Sequence, residues 1–146
     1  VVKVYLDGSF HTKEEVLDFL ADYAVNVSIA TKKEGIYSSF IAREEQGSTG
    51  LLDGFAIPHA KNEEIKQAEI LFVKLTKPVK WETIDNQPVQ FIIALFIPEK
   101  EAGTTHLKML SQIARLLMSE TFRNELKHLS SQGEIERYLT EKIVQE

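Results

Sequence analysis

Val89-Gln90-Phe91-Ile92-Ile93-Ala94-Leu95-Phe96-Ile97 is the stretch on which the fold turns. Only Gln90 interrupts an apolar run that ends at Pro98. A strand this continuously hydrophobic suits the centre of a sheet covered on both faces. Upstream, Glu69-Ile70-Leu71-Phe72-Val73-Lys74-Leu75 reads as a second strand, and Ile84-Asp85-Asn86-Gln87-Pro88 between the two carries turn chemistry. A shorter apolar run, Phe55-Ala56-Ile57, is closed abruptly by Pro58.

Helical signals lie on either side of this block, and the N-terminal third reads as helical. Thr12-Lys13-Glu14-Glu15 is a capping box, followed on one face by Val16, Leu20, Tyr23 or Ala24, and Val27. A second box, Thr31-Lys32-Lys33-Glu34, opens a shorter helix with Tyr37, Phe40 and Ile41 inward, and Gln46-Gly47-Ser48-Thr49-Gly50 breaks it. After the central strand, Thr104 or Thr105 is placed to cap a helix with Leu107, Leu110, Ile113, Ala114 and Leu117 inward. Ser119 to Leu129 forms another, and Ser131-Gln132-Gly133-Glu134 caps a last one through Ile135, Tyr138, Leu139 and Ile143. Helices, then strands, then helices predict one α/β domain over residues 1–146, with helices packed against a sheet.

Composition narrows the function classes. The chain of 146 residues is 43% hydrophobic and 27% charged, as soluble globular proteins are. No apolar run approaches the ~18 residues of a membrane span, and Val1-Val2-Lys3-Val4-Tyr5 lacks the pattern of a secretion signal. Cysteine is absent, which removes thiol chemistry and fits a reducing, cytoplasmic setting. The net charge of −5, with signs mixed and no basic block, argues against a nucleic-acid partner.

Chemistry must come from elsewhere. The four histidines, His11, His59, His106 and His128, show no metal-ligand spacing, and no cofactor motif or phosphate loop is present. Neither a metal nor a cofactor is expected. His59 follows Gly54-Phe55-Ala56-Ile57-Pro58, so a short strand ends at a proline and at once presents an imidazole. Strand ends are where many α/β proteins place ligands; a loop histidine that caps a turn or meets solvent is the plainer alternative. His106 falls in a helix's first turn, which favours anions, or is an exposed helix-start residue. Arg43 and Thr49 flank the glycine loop and read equally as a helix-end arginine and a turn threonine.

Taken together, these segments resemble a known family. Arg43-Glu44-Glu45-Gln46-Gly47-Ser48-Thr49-Gly50 followed by Gly54-Phe55-Ala56-Ile57-Pro58-His59-Ala60 is similar to the signature of fructose/mannitol-type enzyme IIA domains of the sugar phosphotransferase system. Val79-Lys80-Trp81 with Asp85-Asn86-Gln87-Pro88-Val89 resembles the family's second motif, and Thr105-His106-Leu107-Lys108-Met109-Leu110 its His-Leu segment. The likeness covers roughly residues 2–140. Thr105 departs from the pattern, since many members carry an acidic or amide residue there.

The resemblance implies a mixed sheet sandwiched between helices, the mannitol-specific enzyme IIA-like fold. It implies that His59 is phosphorylated at Nε2 by the phosphocarrier HPr and passes the group to an enzyme IIB component, serving uptake of a fructose-like sugar. Arg43 and His106 would flank the site, with Thr49 beside it binding the phosphoryl group. Association with the membrane would be indirect, through the permease. Nδ1–H of His59 is expected to be held by an acceptor such as a backbone carbonyl, and Phe55, Ile57, Leu51 and Leu52 to supply an apolar docking patch. Two other readings stand beside this one. One is a regulatory enzyme IIA-like module, nitrogen-related or within a transcriptional regulator; the other is a binding domain that holds an anion without covalent chemistry.

Overall fold

The computed structural model describes residues 2–101 and 103–143. Its elements run β1 (Val2–Gly8), α1 (Lys13–Asn26), α2 (Lys33–Gln46), β2 (Phe55–Ala56), β3 (His59–Asn62), β4 (Glu69–Val79), β5 (Val89–Pro98), α3 (Thr104–Leu117), α4 (Glu120–His128) and α5 (Gln132–Ile143). The sheet order is β1-β4-β5-β2, with β3 also on β5, along the edge that β2 begins. Strands β4 and β5 are antiparallel; β1 is parallel to β4, and β2 and β3 are parallel to β5. The sheet is therefore mixed.

The apolar run of β5 serves two cores at once. Ile92, Ala94 and Phe96 face α1 and α2, packing with Leu17, Leu20, Ile36 and Phe40. The alternate residues Phe91, Ile93, Leu95 and Ile97 face α3, α4 and α5, packing with Ile113, Leu117, Leu126 and Leu139. Period-2 alternation with both faces apolar is what a helix-sheet-helix sandwich demands of its central strand. The expected layering holds.

Several local expectations change. The N-terminal third is not wholly helical, because Val2–Gly8 is a strand: Val2 and Val4 are buried while Lys3 and Tyr5 are exposed. Thr12 caps α1 by accepting from Glu15 N–H at 3.0 Å, and Ser119 accepts from Phe122 N–H at 3.3 Å to cap α4. Ser131 likewise accepts from Glu134 N–H at 3.1 Å at the start of α5. Thr31 does not cap α2; Lys32 occupies that position, and the Thr31 hydroxyl donates to Glu64 instead. Val27 stands at the C-cap of α1 and is exposed. Gly103 is the N-cap of α3; the side chains of Thr104 and Thr105, expected as caps, lie outside the described residues. Leu107, expected inward, is 62% exposed. The buried stripe of α3 runs through His106, Ile113 and Leu117, and His106 takes the place assigned to Leu107.

Candidate active site

Pro58 sets the geometry. Lacking an N–H, it cannot donate to the sheet ladder, and β2 stops at Ala56. Its carbonyl nevertheless accepts from Leu95 N–H at 3.0 Å, and the chain rejoins the same edge of β5. His59 thus opens a new strand, paired with Leu95, instead of trailing the end of an old one. Ala60 turns into the α1–α2 core, which leaves the half-buried His59 ring at the sheet edge towards α3.

Both ring nitrogens are engaged. Nδ1 lies 3.0 Å from the Ile57 carbonyl oxygen, which can only accept, so Nδ1 carries a proton. Arg43 donates Nε–H to Nε2 at 3.0 Å, which requires a lone pair there. The ring is neutral, with a single tautomer selected. Burial pushes its pKa below the ordinary 6.5; the Ile57 carbonyl opposes this, Arg43 adds to it, and the Glu44 charge opposes it. Arg43, in the last turn of α2, also donates Nη1–H to the Gly47 carbonyl at 2.7 Å.

The loop beside His59 is built around Glu44. Its carboxylate accepts from Thr49 N–H at 3.1 Å, from the Thr49 hydroxyl, and from Trp81 Nε1–H at 3.3 Å. Thr49 is buried, with its hydroxyl proton committed to Glu44. At Gly50 an added Cβ would stand 2.2 Å from the Glu82 carbonyl oxygen, so only glycine lets the loop lie this close to the strand-connecting segment.

A hollow of about 330 Å³ opens in front of His59. Arg43 and Ser39 of α2, Lys61 of β3, and His106 and Leu110 of α3 line it, with no carboxylate among the lining residues. His106, for which an exposed helix-start position is one of the two sequence readings, is 4% exposed. Thr49 joins Arg43, His59 and Leu110 around an adjoining recess of about 270 Å³. The four candidates His59, His106, Arg43 and Thr49 therefore surround one place.

Three features escaped the sequence reading. Glu44 appeared only as a motif letter. Lys61 lies two residues from His59 on the same strand face, a spacing that becomes meaningful only once the chain is known to rejoin the sheet after Pro58. The residues expected to form a docking patch are largely covered: Phe55 and Ile57 are buried in the core and Leu51 and Leu52 are half-buried, while Leu107, which lines the hollow, is exposed.

The site defines a mixed-sheet domain that presents a neutral imidazole with its Nδ1 proton held, facing a hollow lined by Arg43 and Lys61. The family "Phosphoenolpyruvate-dependent sugar phosphotransferase system, EIIA 2" matches residues 2–142, and the chain belongs to it. Over 140 residues it is 34% identical to multiphosphoryl transfer protein 2 of Escherichia coli (strain K12), covering 96% of this chain and 16% of that much longer protein. The crystal structure of nitrogen regulatory protein IIA-Ntr from Neisseria meningitidis superposes with a TM-score of 0.86 at 30% identity, covering 94% of this chain and 93% of that one. Enzyme IIA-Mtl from Escherichia coli, solved in complex with phosphorylated enzyme IIB-Mtl, shares the fold with a TM-score of 0.75 at 17% identity, each chain covered in full (100% and 100%).

Proposed function

We propose that this protein is a phosphocarrier that accepts a phosphoryl group on Nε2 of His59 from HPr and passes it to an enzyme IIB component. The observation that carries the reading is the pair of bonds on the His59 ring: Nδ1–H on the Ile57 carbonyl and the lone pair of Nε2 towards the hollow. In the transfer, the N–P bond of the donor's phosphohistidine breaks, and its electron pair stays on the donor ring. The Nε2 lone pair of His59 forms the new N–P bond. The Nδ1 proton does not move; the Ile57 carbonyl stabilises the positive charge the ring gains, and the bond stays labile for the onward step.

Arg43 must release Nε2 as phosphorus arrives. Its guanidinium then meets the phosphoryl oxygens, where a charge-assisted, forked contact is strongest. His106 supplies a second donor from the opposite wall. Thr49 reaches a phosphoryl oxygen only by exchanging its bond to Glu44. Phosphoryl transfer asks chiefly for alignment and fixed donors, and each such donor is worth roughly 10²–10³ in rate by analogy with oxyanion-hole deletions.

The test is to mix the protein with phosphorylated HPr and map the modified residue. Acid-labile, base-stable phosphate on His59 is expected, and uptake by His59→Ala would overturn the reading. A fructose-like sugar permease is the proposed destination. The likeness to IIA-Ntr along nearly its whole length favours a second reading, in which the phosphorylation state of His59 controls another protein. Transfer onward to an enzyme IIB separates the two.

A further inference from the structure

The bond that fixes the His59 tautomer is the last link of a longer chain. Glu44 holds Thr49 through both its amide, at 3.1 Å, and its hydroxyl. The Thr49 carbonyl accepts from Ile57 N–H at 3.0 Å. The Ile57 carbonyl in turn accepts from His59 Nδ1–H at 3.0 Å. An isolated antiparallel bridge between Gly50 and Ala56 runs alongside the same link. Trp81 donates to Glu44 from the segment after β4, so the carboxylate gathers donors from two loops. Arg43, the neighbouring residue on α2, grips the other nitrogen of the same ring.

Resting on the phosphocarrier reading, we propose that Glu44 is the positioning residue of His59, setting its tautomer and ring placement through Thr49 and Ile57. Three features favour this over a purely structural role. The donors to Glu44 are an amide, a hydroxyl and an indole, all neutral, so its charge is not spent on an ion pair. That charge acts on His59 in the sense that favours a positively charged ring, the state the ring enters as Nε2 takes up phosphorus. And the chain ends on the proton that must stay in place while Nε2 attacks. Without it, the Ser48–Gly50 loop loses its hold, Ile57 is no longer fixed from behind, and the ring can exchange its proton to Nε2. An imidazole with Nε2–H has no lone pair to offer the hollow.

The experiment reads the tautomer directly, on unphosphorylated protein, from the side-chain nitrogen and hydrogen NMR signals of His59 well above its pKa. The unaltered protein should show Nδ1–H alone. Glu44→Ala should show a mixture, and Glu44→Gln, which keeps one acceptor oxygen and loses the charge, an intermediate result. Phosphoryl uptake from HPr should fall roughly 10- to 100-fold in Glu44→Ala at unchanged KM, by analogy with partners that orient metal-binding histidines. Trp81→Phe, which removes one donor and leaves the chain whole, should leave the tautomer as it is. An undivided Nδ1–H signal in Glu44→Gln and Glu44→Ala would overturn the proposal; where Glu44→Ala does not fold, Glu44→Gln decides alone. Because the tautomer is measured without phosphate, its outcome stands apart from whether His59 is phosphorylated at all.

Discussion

The wall of the hollow built from α2 and β3 fixes its central ring through hydrogen bonds, whereas the wall built from α3 is seated chiefly by apolar packing, with Gln112 Nε2–H donating to the Lys142 carbonyl at 3.2 Å and the Leu117 carbonyl accepting from Arg123 Nη1–H at 2.7 Å. On the first, Arg43, Glu44, Thr49, Ile57 and His59 form a continuous set of polar contacts that fixes one ring at both nitrogens. On the second, α3 starts at Gly103 without a side-chain cap and is anchored through Ile113 and Leu117, both fully buried. Directional bonds set an atom's position to a fraction of an ångström; apolar packing sets a helix's place while leaving its exposed residues adaptable. On the phosphocarrier proposal, the contrast amounts to a division of labour, in which the nucleophile would sit on the hydrogen-bonded wall and the incoming partner would meet the other.

The most severe way to break the comparison is at the ring itself. His59→Ala should abolish phosphate uptake while leaving the melting temperature within a few degrees, since the ring is only half-buried. Next is Arg43→Ala. It removes the fixed donor on Nε2 and should slow uptake roughly 10²–10³-fold, measured by single-turnover transfer from phosphorylated HPr. The same variant sharpens the electrostatics. Burial first, and Arg43 in addition, hold the His59 pKa below 6.5. The neutral, reactive ring therefore persists as pH falls through 6.5, and uptake should drop only at lower pH. Removing the arginine charge and opening the site to water both raise that pKa, so the acid limb of the pH–rate profile should move up. The linked stability has the matching sign: the folded state resists protonation, so the contribution of His59 is present above 6.5 and is lost as pH falls below it.

His106→Ala tests the packed wall. It should leave His59 able to accept phosphate but slow onward transfer to an enzyme IIB by roughly 10². Equal slowing of both half-reactions would show that the two walls act alike.

How far the sequence foretold this arrangement depended on the kind of force involved. The two-faced β5 was legible because burial on both sides leaves an unbroken apolar run, and the caps at Thr12 and Ser131 were legible because capping is local chemistry. The strand Val2–Gly8 is faint in the sequence although Val2 and Val4 alternate with Lys3 and Tyr5, because a run so short says little without its partner β4. Pro58 reads in the sequence as a strand terminus; its remaining carbonyl still serves the ladder, a fact that exists only once Leu95 is alongside. The candidates His59, Arg43, His106 and Thr49 come from a motif, and the structure's contribution is to gather them around the hollow and the recess that adjoins it. Glu44 was invisible for a different reason: its partners Thr49 and Trp81 lie 5 and 37 residues away, and no spacing rule joins them.

Leu107 offers the smallest effect and the finest test. The helical stripe from Leu107 through Leu110 and Ala114 would place it inside, yet His106 holds the buried position and Leu107 stands at the rim, 62% exposed. An exposed leucine contributes little to folding, so Leu107→Ala should shift stability by no more than about 0.5 kcal/mol. If it is the apolar contact that receives a partner, its side chain is buried only in the complex. Losing the buried methylenes then costs about 1 kcal/mol of docking, a KM raised roughly threefold to tenfold, with the rate at saturating HPr unchanged. A fall in that saturating rate instead would mean that α3 positions the reacting groups as tightly as α2 does, and the contrast between the walls would fail.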